Sequence, residues 1–560
     1  MKRFLSALLT LVMILSLVSV SAMAEEQPLL TIDVYDDAAN YNGLQTGWFA
    51  KVIKDRFNIE LNIIASQVVG NTIYATRSEA GNLGDIILVD KAKFPEIVEA
   101  GLAKDISDKL PGCTNIMKFK DQIDVFNKGL TGEEGKYYGI PTEMTDTAPD
   151  TLTDDVIYSS PMLRWDLYKA IGAPDLANLD DLLEALKKIH EIHPANDEGD
   201  PAYPFTLWAD WDGNDNMIGI ANVVQLTTWY GEKLKGSAML KPDYTFSPLY
   251  ERENAYYKIA KFLNKANQMG LVDPDSGTQP WDTVANKLST GRADVMWYSW
   301  QTGFWNSVDR LNAGTGFIFI PVGDQNYYAD ADRYYGSDRM FGIGSGVEGE
   351  KYERIMAFLD WYASPEGATF QHDGIEGLNY TVGENGKFVP YKDNALMDNL
   401  PVPEEYGAGG YSDGNNQINQ WIVSSICINP VTGERFAQKY WQSYKDMTMT
   451  EMKKEWQEKF GAEDSVDWMK KNGKLLASPS VDFTPAADNN DFIALRSDVN
   501  KCLCEYTWNL IMTCATDEEF EALWDEMVVQ LDGFGYKELY AHDIEVWQPE
   551  IDAKKAAAAK

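Results

Sequence analysis

Asp210-Trp-Asp212-Gly-Asn214-Asp215-Asn216 opens as a calcium loop does, with oxygen-bearing side chains at alternate positions. Two positions depart from that pattern. The turn position, which needs glycine, holds Asp215, and the twelfth, where a bidentate glutamate would close the coordination shell, holds Ala221. The stretch therefore reads as a polar ligand-binding loop, and no metal is expected. Of the four histidines, His190 and His193 stand three apart at the end of a predicted helix. His193 precedes Pro194 and no glutamate occupies a zincin position between them, so the pair reads as a solvated helix terminus. Ser345 lies between Gly344 and Gly346, but a nucleophile elbow needs glycines two residues away, where Ile343 and Val347 stand. Gly342-Ile-Gly344-Ser-Gly346 lacks dinucleotide-binding spacing, and no phosphate-cradling loop is present. With 86 acidic residues, carboxylate pairs suited to glycoside hydrolysis arise by chance, and nothing marks one pair out. No catalytic residue and no cofactor is expected.

The aromatic residues point to binding. Seventeen tryptophans include Trp208 and Trp211, Trp281, and Trp297, Trp300 and Trp305. Pyranose rings stack their apolar C–H faces on flat aromatic surfaces, while their hydroxyls need carboxylate, amide or guanidinium partners at the rim. Asp210 and Asp212 flank Trp211, and Gln301 follows Trp300. Trp297 alternates inward on its predicted strand and belongs to the core. Trp211 and Trp300 follow strand ends, where loops build sites.

The elements that must position these residues alternate. Leu29–Val34 reads as a strand, Trp48–Phe57 as a helix, Ile59–Ile64 as a second strand and Gly84–Asp90 as a third, apolar enough to be buried on both faces. That order predicts a mostly parallel α/β sheet with ligand loops after Tyr35 and after Val89. Gly139-Ile-Pro141 ends a short apolar strand, because proline cannot donate to a ladder, and the chain is expected to leave the sheet there as a hinge crossing. Leu163, Leu167 and Ile171 predict a helix stopped by Gly172 and Pro174; Asn178 caps another that carries Leu182, Leu183, Leu186 and Ile189. Tyr203–Trp208 is a predicted strand and Met217–Tyr230 a predicted helix. Lys287–Trp300 reads as helix end, Gly291 turn and strand; Phe317–Pro321 repeats the proline-closed strand. Asp491–Cys514 and the segment opened by Thr516-Asp-Glu-Glu519 are predicted helices. Lys554–Lys560 is a low-complexity tail expected to fray.

Taken in order, the Gly135–Thr142 and Leu163–Pro174 stretches, the Gly291–Trp300 element, Ser364-Pro-Glu-Gly367, Gly374–Tyr380 and the Trp524–Tyr536 segment resemble the extracellular solute-binding proteins of family 1, the oligosaccharide-type receptors of ABC importers. The resemblance implies a type II periplasmic-binding-protein fold with two lobes, a ligand cleft and a hinge, plus a helical C-terminal region. After an expected signal peptide at 1–24, it sets first-lobe segments at 25–148 and 317–395, a second-lobe segment at 149–316, and a second-lobe return with the helical region at 396–560. It implies ligand contacts from Tyr298 and Trp300 and from Asp210, Trp211 and Asp212 in the second lobe, beside Trp281 and Gln301, which the clustering of aromatic and polar residues already made candidates. In the first lobe it implies Asp36, Asp37 and Asp90, with Glu143, Arg339 and Glu376 beside them. An oligosaccharide ligand and ABC permease subunits are the implied partners, and the chain is expected to act as a monomer. The loop around Trp211 is richer in Asp and Asn, and the C-terminal part longer, than the family pattern.

Met1-Lys2-Arg3, the apolar run Phe4–Val20 and Ser21-Ala-Met-Ala24 form a predicted secretory signal peptide, cleaved before Glu25. No cysteine lies near that point, so the lipid anchor of many Gram-positive receptors is not expected, and a periplasmic and an extracellular location stay open. Loss of Lys2 and Arg3 makes the formal charge of −37 more negative still. An acidic surface excludes nucleic acid and anionic membrane as partners, because both require cationic patches. The five cysteines show no disulfide spacing; Cys502 and Cys514 would lie about 18 Å apart on one helix, too far to bridge. Three rival readings remain: a receptor for a peptide or other non-sugar solute, a secreted carbohydrate-active enzyme, and a sensor subunit that passes its ligand state to a membrane kinase.

Overall fold

The computed structural model describes residues 28–39, 41–70, 72–213, 218–391, 402–407, 418, 420–486 and 488–558. The segment expected to be a signal peptide, residues 1–24, and the Asn214-Asp215-Asn216 half of the acidic loop lie outside the described residues. The chain divides into two compact units: a first made of the described residues up to 147, 333–391 and 402–444, and a second made of 148–332 and 445–558.

The first unit is built on a six-stranded sheet in the order Gly43–Leu44, Ile59–Ala65, Leu30–Asp36, Ile86–Asp90, Arg339–Ile343, Gly139–Pro141. Leu30–Asp36 runs parallel to both Ile59–Ala65 and Ile86–Asp90. The Ile86–Val89 side chains are buried on both faces, which the unbroken apolar run requires of a central strand. Arg339–Ile343 pairs antiparallel with Ile86–Asp90 and sets Arg339 opposite Asp90. Gly139–Pro141 is an edge strand that pairs only with Arg339–Ile343, a position where the missing proline N–H does no harm. The helices Gly47–Phe57, Lys120–Thr131, Gly349–Tyr362 and Pro365–Asp373 cover the sheet. Ser364 begins the last of these, its side chain accepting from the Gly367 N–H, so the Ser-Pro-Glu-Gly sequence starts a helix with proline in its first turn.

The second unit has a three-stranded antiparallel sheet, Val295–Tyr298, Ser159–Arg164, Phe317–Phe319. Its core takes in the sheet, Leu179–Ile192, Ala255–Gln268 and the C-terminal helices Asn490–Met512 and Asp517–Gly533. Thr516 caps the last of these by accepting from the Glu519 N–H, and Asn178 caps Leu179–Ile192 from Asp181.

Five sequence expectations are corrected. Leu163 lies in the strand Ser159–Arg164, all six residues of which are buried, and the helix begins only at Trp165. A strand buried on both faces shows no alternation, and here four-residue spacing imitated a helix. Tyr203–Trp208 makes isolated bridges, Tyr203 to Ala293 and Phe205 to Val272, because Pro204 has no N–H for a continuous ladder. Phe317–Phe319 pairs with Arg164, Leu163 and Met162, so the chain returns to the first unit at 333 and not at 317. Residues 420–444 also belong to the first unit: Ile422, Val423, Cys427 and Phe436 join its core, and the Glu143 and Met144 N–H groups donate to Trp421 and Ile422 carbonyls. The alanine-rich tail is helical through Ala558, anchored by the buried Lys554 ammonium 2.9 Å from Ser478 Oγ and 3.2 Å from Glu550 Oε1.

His193 is also not solvated. Its Nδ1 lies 2.9 Å from the fully buried Asp294 carboxylate and its Nε2 3.2 Å from Arg164. All five cysteines are free thiols, and all but the half-buried Cys504 are buried.

Candidate functional site

Each unit gathers its own part of the expected residues. In the first, the carboxyl ends of the parallel strands Leu30–Asp36 and Ile86–Asp90 meet the start of the antiparallel strand at Arg339. Parallel strands leave their loops at one edge, and here those loops carry Asp36, Asp37 and Asp90. The Arg339 Nη2 lies 2.9 Å from Asp36 Oδ1 and 2.6 Å from Asp37 Oδ1. Asp37 Oδ2 accepts from the Asp90 N–H at 3.2 Å and lies 3.5 Å from the Lys93 ammonium. Asp90 Oδ1 accepts from the Ala92 N–H at 2.7 Å. Asp36 is fully buried, and among the described residues its second oxygen, like Arg339 Nε, has no hydrogen-bond partner. Burial pushes the Asp36 carboxyl up to about 7 against the opposing pull of Arg339. Burial raises Asp90 as well, with Asp338 and Asp37 adding to the effect.

Glu143 follows Thr142, whose N–H donates to the Arg339 carbonyl at 3.2 Å, whereas Glu376 lies on a separate loop. Glu143 adopts a left-handed backbone, φ 53, and pairs with Arg333. Glu376 is exposed on the loop after the helix Pro365–Asp373, and no hydrogen bond or ion pair joins it to Arg339.

In the second unit, the loop after Trp208, the start of the helix Trp281–Ser289 and the turn after Tyr298 bring their indoles together. Trp208 and Trp297 are buried and stacked, ring centroids 5.3 Å apart and planes 3° from parallel. Over them lie the half-buried Trp211, Trp281 and Trp300. Trp211 lies 5.1 Å from Trp281 and 6.1 Å from Trp300, and Trp281 lies 5.0 Å from Trp300. Trp300 also stacks on the buried Tyr298 at 5.1 Å. The result is a shelf of three partly exposed indoles on a rigid aromatic base.

The polar residues expected beside the shelf divide by role. Asp210 is exposed and accepts from the Trp281 N–H at 3.0 Å, which holds the start of that helix against the loop. Asp212 spends both oxygens within the protein: Oδ1 on the Ala221 N–H at 2.9 Å and Oδ2 on the Trp508 indole N–H at 2.7 Å. Burial raises its carboxyl to about 6 in spite of those bonds. Gln301 is buried, and its Oε1 accepts from the Trp297 and Tyr298 N–H groups at 2.9 and 3.0 Å, so it shapes the turn that carries Trp300. Tyr298 is 2 % exposed, and burial pushes its phenol far above the ordinary range.

Sequence reasoning missed four neighbours. Tyr158 is 64 % exposed, with its ring 4.7 Å from that of Tyr298, because the strand after it pairs Ser159 with Tyr298. Reading Leu163 as helical hid that strand and with it Tyr158. Phe304 extends the shelf, 5.7 Å from Trp281. Gln225 accepts from the Trp297 indole N–H at 3.2 Å, and Lys93 stands at Asp37. A lysine three residues past a strand end carries no signal of its own in the sequence.

Comparison with known proteins bears on the fold. No family model matches the chain. Lipoprotein LipO of Bacillus subtilis is 24% identical over 348 residues, 57% of this chain and 63% of LipO. The polygalacturonan/rhamnogalacturonan-binding protein YtcQ of the same organism is 23% identical over 363 residues, 60% of this chain and 64% of YtcQ. The match thus spans less than two thirds of the length of these curated relatives. Among solved structures, the alginate-binding protein AlgQ2 superposes with a TM-score of 0.59 at 15% identity, over 93% of this chain and 98% of its own. The ABC-transporter substrate-binding protein FusA of S. pneumoniae, in complex with kestose, gives 0.59 at 12% identity over 95% and 100%. The fold is that of the ABC-transporter solute-binding proteins. A further solute-binding protein, the one from Bifidobacterium longum infantis described as HMO binding, gives 0.56 at 16% identity over 94% and 100%. Within this solute-binding fold, the first unit supplies the charged cluster and the second the aromatic shelf.

Proposed function

We propose that the chain is the substrate-binding component of an ABC importer, and that it captures an oligosaccharide and delivers it to permease subunits without turnover. The observation that carries the reading is the shelf of Trp211, Trp281 and Trp300, half-buried on the buried Trp208–Trp297 stack. Flat indoles fixed from behind offer stacking faces at little entropic cost. Asp210 at the shelf and the Asp36, Asp37, Asp90 and Arg339 cluster supply acceptors and donors for hydroxyls. That YtcQ and AlgQ2 are named for binding carbohydrates and FusA is known with kestose agrees with this.

In this reading the receptor closes on its ligand by hinge motion. The closed conformation is favoured by the ligand's differential affinity for it. A micromolar dissociation constant corresponds to about −8 kcal/mol, within reach of two or three stacks and several hydrogen bonds after ordering costs. The mature protein is proposed to be exported by its N-terminal signal and to act as a monomer. Among the described residues no helix is long and apolar enough to cross a membrane.

The test is thermal shift of the protein from Glu25 onward against panels of oligosaccharides, peptides and amino acids, with glycan hydrolysis followed in parallel. A rise in Tm with one glycan class, without hydrolysis and abolished by Trp300→Ala, is the expected result. A rise with peptides alone, or the release of shorter sugars, would overturn it.

A further inference from the structure

The charged cluster of the first unit holds a single arginine, and its charge is already spent. Arg339 Nη2 is shared between Asp36 Oδ1 at 2.9 Å and Asp37 Oδ1 at 2.6 Å, and Asp90 stands opposite Arg339 across the strand pair. Beside the cluster the exposed Lys93 is engaged by Asp37 at 3.5 Å, and Lys91 is buried. A second feature points to a ligand. Asp36 is fully buried, yet among the described residues its Oδ2 has no hydrogen-bond partner, and neither does Arg339 Nε. A free carboxylate oxygen accepts a hydroxyl proton, and a free guanidinium N–H donates to a hydroxyl or ring oxygen. A ligand carboxylate entering the same place would meet three aspartates and a guanidinium already shared between two of them.

The shelf of the second unit has the same bias. Among the described residues its exposed charged groups include Asp210, at the Trp281 N–H, and Asp282, next to Trp281 in sequence. Among the described residues no lysine or arginine lies over the rings of Trp211, Trp281 or Trp300; Arg164 and Arg310 lie over Trp305, at 5.1 and 3.6 Å. Arg164 ends the strand whose other end, Ser159, pairs with Tyr298 at the shelf. At 3.3–3.4 Å per residue, five residue steps put the two strand ends about 17 Å apart.

We propose that this receptor selects uncharged oligosaccharides and rejects glycans built from uronic acids, with Asp37 and Asp36 setting that preference by their hold on Arg339. The proposal rests on the oligosaccharide-receptor reading and refines its substrate class. It also separates this chain from YtcQ and AlgQ2, whose descriptions name polygalacturonan and alginate.

The experiment titrates the protein from Glu25 onward at low ionic strength with two panels. One holds neutral gluco-, fructo-, manno-, xylo- and human-milk-type oligosaccharides, the other oligogalacturonates and alginate oligomers. At least one neutral glycan is expected to bind, with every uronate at least tenfold weaker. The bound glycan is then oxidised at its primary alcohols, and the resulting uronate is expected to lose at least tenfold in affinity. Asp37→Asn should narrow that gap, as should Asp90→Asn if the first variant fails to fold. Tight binding of a uronate panel member, or a gap unmoved in both variants, would overturn the charge preference while leaving the receptor reading in place. Binding of no glycan from either panel would sink the receptor reading and this inference with it.

Discussion

Trp208 and Trp297 stack face to face, 5.3 Å between centroids and 3° from parallel, both shut off from solvent beneath the three half-buried indoles of the shelf. The pair comes from two segments more than eighty residues apart in sequence, so the shelf is a product of the second unit's core. Rings of the base and rings of the shelf should therefore respond differently to truncation.

Removing a buried base ring should damage the fold. Trp297→Ala leaves a cavity under Trp208 and Tyr298 and is expected to cost about 3–5 kcal/mol of stability. Urea unfolding monitored by tryptophan fluorescence would check it; a loss below about 1 kcal/mol would contradict the packing described here.

Removing a shelf ring should spare the fold and cost affinity. Trp300→Ala and Trp211→Ala are each expected to weaken glycan binding at least tenfold, about 1.4 kcal/mol, with a smaller change in stability than Trp297→Ala. Isothermal titration and unfolding of the same variants separate the two effects.

Asp212 should behave as a strut. Asp212→Ala strands the Trp508 indole N–H and the Ala221 N–H, which its carboxylate accepts from at 2.7 and 2.9 Å. A loss of about 1–3 kcal/mol is expected, partly restored by Asp212→Asn, whose carbonyl can keep one of the two bonds. Equal losses in both variants would argue against those bonds as the cause.

Stability should depend on pH through Asp36. Its folded carboxyl is raised to about 7 from an ordinary 3.8, so between those values the folded state binds more protons than the unfolded chain. The group's contribution is complete below about pH 3.8 and is lost as pH rises through 7. His372, held near 4 by burial beside Trp421 and Phe436, has the opposite sign: its contribution is present above 6.5 and is lost as pH falls through 4. Urea titrations from pH 4 to 8 should show a flatter rise in stability toward the acid side in Asp36→Asn than in the parent. An unchanged pH profile in that variant would refute the assignment.

The C-terminal helix should be needed for the second unit's stability. Lys554, buried beside Ser478 and Glu550, is expected to cost about 3–5 kcal/mol on change to alanine, because Glu550 loses one of its two lysine partners. Thermal melts of Lys554→Ala and of a chain ending at Trp547 would check this; unaltered melting in both would restore the reading of a frayed tail.

Much of the fold follows from local pattern. The apolar run Ile86–Val89 could only be a central strand, the caps at Asn178, Ser364 and Thr516 mark helix starts, and Pro141 ends its strand, because each of these rests on chemistry within a few residues. Residue type also made Trp211 and Trp300 candidates, since aromatics at strand ends are groups a sugar stacks on, and the family resemblance added Asp36 and Asp37. The tertiary structure decided which of them are available to a ligand. Asp212 and Gln301 turn inward to backbone and indole N–H groups, while Tyr158 turns outward beside Tyr298. It also decided that Phe317–Phe319 and Lys554 belong to the second unit and residues 420–444 to the first. These outcomes depend on partners distant in the chain. A buried strand gives no alternation by which to recognise it, and a carboxylate shows its role only when the donors that reach it, Arg339 for Asp37 or Trp508 for Asp212, are brought across the fold.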